Sequence, residues 1–171
     1  MALALVDYFD LRYDRQHRSP ILFLKDVESE KYLPVWIGDL EARSIEDAYY
    51  QRTLERPLTH DLFVDVLATV AVSLDRVVID RLDQGTYFAT MFMDHEGSVR
   101  EVDCRPSDAV AIALRMNARI YVEEDLMYRI KFVELREGEV DDDDADAVHE
   151  EDPESFQDFL RNISPADFRD N

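Results

Sequence analysis

The stretch Pro106-Ser107-Asp108-Ala109-Val110-Ala111-Ile112-Ala113-Leu114 constrains the fold more than any other. Proline suits the first turn of a helix, where its missing amide hydrogen has no partner to lose, and an aspartate there offsets the positive end of the helix dipole. From Ala109 to Leu114 the run is apolar on every face, so this helix must be enclosed between a sheet and partner elements rather than laid on a surface. Asn117 is suited to stopping it. With 171 residues the chain is long enough to supply that enclosure in one domain, or one domain with an appendage, but not in two full-sized domains.

The enclosing elements are legible in the patterning. Residues 2–11 alternate loosely and read as a first strand. The apolar run Ile21-Leu22-Phe23-Leu24 within 20–25, and Leu33, Val35, Trp36 and Ile37 within 32–37, give two more strands joined by a polar turn. After Gly38-Asp39, the residues Leu40, Ala42, Ile45, Ala48 and Tyr49 recur at helical spacing to about Gln51. A second helix enters at Arg56-Pro57-Leu58-Thr59-His60-Asp61, with Thr59 as its expected cap and Phe63, Val66, Leu67 and Val70 as its apolar stripe. Strands over 76–82, 86–93 and 99–104 follow, linked by Asp83-Gln84-Gly85 and His95-Glu96-Gly97. Beyond the Pro106 helix come a strand over 119–122, a helical turn over 123–129 and a last strand over 130–135. This order predicts an α+β fold with a mixed, mainly antiparallel sheet built from two strand meanders and three main helices packed on it.

Charge divides the chain further. There are 39 Asp and Glu against 19 Lys and Arg, a formal net of −20. From Glu137 to the end stand 14 acids and two arginines, so residues 137–154, almost devoid of apolar side chains, are expected to be a disordered acidic linker. In the final segment, 155–171, Phe156, Phe159, Leu160 and Ile163 fall at i, i+3, i+4 and i+7, a short amphipathic helix able to dock on its own domain or on another protein. The domain proper is then 1–136. Strong acidity disfavours a sequence-reading DNA binder. It also fits a protein kept soluble in concentrated salt, since only three of the 19 bases are lysines. No apolar run approaches the roughly 20 residues of a membrane span, and Asp7 interrupts any signal peptide, so a cytoplasmic location is expected, with no membrane partner. A single cysteine, Cys104, excludes an intrachain disulfide.

Three helix entries concentrate ionisable residues: Trp36-Ile37-Gly38-Asp39-Leu40-Glu41-Ala42, Arg56 to Asp61, and Asp103-Cys104-Arg105-Pro106-Ser107-Asp108-Ala109. Their order and wording resemble the bifunctional nuclease domain family over roughly residues 5–135, the longest match being Asp103 to Leu114. The resemblance implies a compact α+β domain, usually a homodimer, with RNA and DNA as substrates of a broad nuclease.

Cutting a phosphodiester requires an activated water and positive charge on the non-bridging oxygens. Among these residues Glu41, Asp61, Asp103 and Asp108 can serve as ligands for Mg2+ or Mn2+, and His60 as general base. Arg56 or Arg105 can clamp the phosphate, so that His60, Asp61, Asp103, Arg105 and Asp108 form the candidate catalytic set. Plainer roles stand beside these. Asp61 and Asp108 stabilise any helix they begin, Asp103 and Arg105 can belong to a structural ion-pair network, and His60 beside a cap can be a solvated ring. Trp36 reads as a core or dimer anchor, and Cys104 as inert. Two functions therefore remain open, a metal-assisted nuclease or a non-catalytic dimeric binding or regulatory module whose C-terminal helix docks a partner.

Overall fold

The structure, a computed structural model, describes residues 2–15 and 17–128. The expected strand at 130–135, the acidic linker and the C-terminal helix lie outside the described residues. The elements run β1 (Leu3–Asp14), β2 (Ser19–Asp26), β3 (Tyr32–Trp36), α1 (Asp39–Tyr49), α2 (Thr59–Thr69), β4 (Ser73–Asp83), β5 (Thr86–His95), β6 (Ser98–Cys104), α3 (Pro106–Met116) and β7 (Arg119–Glu123), followed by a 3-10 turn, Glu124–Leu126. No helix among the described residues is long and apolar enough to cross a membrane.

Among the described residues seven strands join one sheet in the order β3-β2-β1-β7-β4-β5-β6. Each meander is antiparallel, as patterning predicts, and the β4–β5 and β5–β6 connections are two-residue turns with positive φ at both positions. Gln84-Gly85 and Glu96-Gly97 fill them, and that mirror-image turn matches the twist of the strands it connects. β7 welds the meanders together. It pairs antiparallel with β1 from Leu3↔Glu123 to Val6↔Ile120, and parallel with β4 from Arg76↔Arg119 to Ile79↔Val122. Chain that leaves β6 at the sheet edge thus crosses back over α3 to reach the centre.

α3 is enclosed as its composition demands. It packs against α1 and α2 on one side and against β4, β5 and β7 on the other. Ala109, Ala111 and Ala113 are wholly buried, and their small side chains allow neighbouring backbones to approach. Asn117 ends the helix in the left-handed conformation, at φ 52 and ψ 36. β2 is buried on both faces, which accounts for its unbroken Ile21-Leu22-Phe23-Leu24 run.

Two expectations for α2 are corrected. The N-cap is Leu58, not Thr59, and the Asp61 carboxylate reaches back to accept the Leu58 amide at 2.8 Å. The expected apolar stripe is also split, with Leu67 alone of its four members turned to the core. Val64 and Leu67 pack on the core, whereas Phe63, Val66 and Val70 are exposed together with Leu62. The inward row begins at His60, and His60, Val64 and Leu67 at i, i+4 and i+7 share one helical face.

Candidate functional site

Side chains from the first turns of α1, α2 and α3 come together in a continuous chain of contacts. His60 from α2 sits at its centre. Its Nδ1 is 2.8 Å from Ser44 Oγ of α1 and its Nε2 3.1 Å from Asp108 Oδ1 of α3. Arg105, the residue capping α3, donates from Nε to Asp108 Oδ2 at 2.7 Å and from NH2 to Oδ1 at 3.0 Å. Its remaining NH1 lies 2.9 Å from Glu41 Oε1. Gly38 makes room for that contact, since a Cβ there would collide with the Glu41 carboxylate.

A second knot lies behind the first. Arg115, near the end of α3, donates from Nε to Asp61 Oδ1 at 2.6 Å and from NH1 to the backbone oxygens of Ser44 at 3.0 Å and Ala111 at 2.9 Å. One guanidinium so holds α1, α2 and α3 together. Burial pushes the Asp61 carboxyl up, but the hydrogen bonds from Arg115 and the Leu58 amide outweigh it and leave it below the usual carboxylate range. Asp108 behaves alike. Burial raises it, and the bonds from Arg105 and His60 outweigh that and leave it below the usual carboxylate range. Bonding to Asp108 in turn raises Arg105, so its charge is fixed.

The candidate residues thus separate. Glu41, His60, Asp61, Arg105 and Asp108 converge, whereas Arg56 is exposed in the loop before α2 and takes no part in the chain of contacts. Asp103 stands opposite Thr90 across the β5–β6 ladder. Tyr87, Ala89, Met91 and Met93 occupy the buried positions of β5, so Thr90 and with it Asp103 belong to the sheet face turned away from the helices. The proposed pairing of Asp103 with Arg105 is replaced by Arg105 with Asp108 and Glu41.

The four carboxylates do not fit a divalent-metal site. Among the described residues no three His, Cys, Asp or Glu side chains gather to hold an ion. Glu41 and Asp108 are turned onto Arg105, Asp61 onto Arg115, and Asp103 lies on the far face. Cys104 donates to the Ala89 carbonyl at 3.4 Å, and burial, with Asp103 and Asp108 nearby, pushes its thiol up to about 12. Such a thiol is a poor nucleophile.

Ser44 and Arg115 are the members that sequence reasoning missed. Their signals were a hydroxyl between Ala42 and Ile45 on a buried helical face, and a lone cation ending an otherwise apolar helix. Beside the chain of contacts opens a cavity of about 650 Å3 between α2, β5, β6 and the start of α3, with His60, Arg105 and Asp108 in its wall; Asp103 also belongs to its lining, although its ladder position assigns its side chain to the opposite sheet face. The model of the bifunctional nuclease domain matches residues 22–134, and the chain belongs to that family. Two proteins of Mycobacterium tuberculosis, from strains CDC 1551 and ATCC 25618, are each 40% identical to it over 161 residues, covering 93% of this chain and 94% of the relative; both are named as uncharacterized.

Proposed function

We propose that the protein hydrolyses phosphodiester bonds in RNA and DNA at the Arg105–Asp108–His60 cluster. One observation carries the reading: Asp108 joins a histidine and an exposed arginine at the wall of an open cavity. Arg105 is 65% exposed, so a phosphate can take the place of Glu41 on its outer edge and be gripped bidentately. The amino termini of α2 and α3 add partial positive charge in the same place. The attacking water enters between His60 Nε2 and Asp108 Oδ1, which are 3.1 Å apart without it, and gives its proton to Nε2 as its oxygen bonds to phosphorus. The bond to the leaving oxygen then breaks, and that oxygen takes a proton from solvent. Ser44 fixes the ring from behind. No step is routed through a metal, because the carboxylates do not form a ligand set.

The test is cleavage of single-stranded RNA and of supercoiled DNA by the full chain, in EDTA and with Mg2+ or Mn2+, beside His60→Ala and Asp108→Ala. Loss of roughly 100-fold or more in both variants, with circular dichroism unchanged, is expected. Cleavage that survives equally in both would refute the assignment.

A second reading has its own support, because the outward row of α2 leaves Leu62, Val66 and Val70 exposed, Leu62 by 55%. We propose that a second copy of the chain covers this row in a homodimer. An inactive wild-type protein that still dimerises would leave a binding or regulatory module as the function.

A further inference from the structure

We infer that the cavity beside His60 receives one unpaired nucleobase of a single-stranded nucleic acid and thereby presents the adjoining phosphate to Arg105. The inference rests on the proposed hydrolysis for the role of Arg105, but the pocket itself is argued from its shape and lining. Its volume of about 650 Å3 lies in the range of small-ligand sites and exceeds what a side chain needs. Phe63, Tyr87, Met91, Val102 and Ile112 give it apolar walls, and its polar lining comes from Thr59, His60, Thr86, Asp103, Arg105 and Asp108. A purine or pyrimidine has the matching anatomy, two flat apolar faces and a polar edge. Paired bases within a duplex cannot present it, because their faces are stacked and their edges paired.

Electrostatics favour the same occupant. A chain of net charge −20 gains little from tracking the rails of a duplex, where affinity comes chiefly from neutralised phosphates. Base stacking does not depend on net charge, and is tolerant of sequence because every base offers a π face. Affinity that comes from one base and one arginine should therefore fall only gently with salt, with a slope near −0.7 in log K against log salt for the single phosphate contact.

The test follows the methyl NMR signals of Met91 and Ile112 in the full chain during titration with adenosine and cytidine 5′-monophosphates, using ribose 5-phosphate as the base-free control. Shifts with both nucleotides and none with ribose 5-phosphate are expected. Phe63→Ala, which truncates an exposed ring, should weaken nucleotide binding about tenfold. Val102→Trp should fill the cavity and abolish binding, with circular dichroism to verify its fold; the Phe63 variant decides the matter if it does not fold. Wild-type protein should cut a single strand at least tenfold faster than the same sequence in a duplex, and Val102→Trp should erase that preference. Nucleotide-dependent shifts without cleavage would uphold the pocket and refute the hydrolysis. Cleavage abolished by His60→Ala, with no shifts and no single-strand preference, would overturn the pocket alone. Signals that respond to protein concentration and not to nucleotide would assign the cavity to a second copy of the chain and also overturn it.

Discussion

Arg115 Nε lies 2.6 Å from Asp61 Oδ1, joining the last turn of α3 to the first turn of α2. The same guanidinium caps the carbonyl of Ser44 in α1, so it fixes the relative positions of the residues on either side of His60. Arg115→Met keeps the apolar stem but leaves a carboxylate and a carbonyl without their donor. Because Asp61 retains partial exposure, we expect a loss of about 2 kcal/mol rather than the full cost of a stranded buried charge. That corresponds to a fall of roughly 4–8 °C in Tm, measurable by scanning calorimetry. An unchanged Tm would mean the knot contributes nothing net.

Glu41 competes with substrate under the proposed reading. It holds the outer nitrogen of Arg105, and a phosphate must displace it. Glu41→Gln weakens that competitor without emptying the space, so KM for a single-stranded oligonucleotide should fall several-fold while kcat changes little. A large drop in kcat would instead make Glu41 a participant in the chemistry, and the competition argument would fail.

How far the sequence disclosed these features depends on the distance over which each is determined. The burial of α3, the two hairpin meanders and the stop at Asn117 follow from neighbours along the chain, through apolar content, turn residues and a left-handed cap. The central place of β7 does not, because its parallel pairing with β4 depends on an encounter between strands some 40 residues apart. The parity of β6 was in fact available. Val102 and Cys104 are the residues suited to facing the helices, which leaves Asp103 on the opposite side. For α2 the largest apolar side chains suggested an inward stripe, but the core accepts the row containing His60, Val64 and Leu67. Ser44 and Arg115 carried no spacing motif, since hydroxyls and arginines on helices mostly have solvent or local partners.

Acid should expose the ion pairs selectively. Asp108 has a folded-state pKa below its unfolded value of about 3.9, so the stabilisation is present above about pH 4 and is lost as pH falls through the folded value. Protonating the many other carboxylates relieves repulsion in a chain of net charge −20, which acts in the opposite direction. A comparison of variants removes this background. The Tm difference between wild type and Asp108→Asn should be largest near pH 6 and shrink towards about pH 3. A difference independent of pH would show that the charge on Asp108 adds nothing to stability.

The exposed row on α2 makes the last prediction. Leu58, Leu62, Val66 and Val70 follow one another at intervals of four, each exposed and large, along a face that the core does not use. Burying a leucine is worth about 1.5–3 kcal/mol relative to leaving it in water, so one charge at the centre of a self-complementary interface acts twice across the symmetry axis. Leu62→Glu should therefore convert a dimer to a monomer in sedimentation velocity, with near-unchanged circular dichroism because the position lies outside the core. Val66→Glu should do the same, whereas Arg56→Glu, in the loop before the helix, should not. A wild-type chain that sediments as a monomer at all accessible concentrations would leave this row without its second copy.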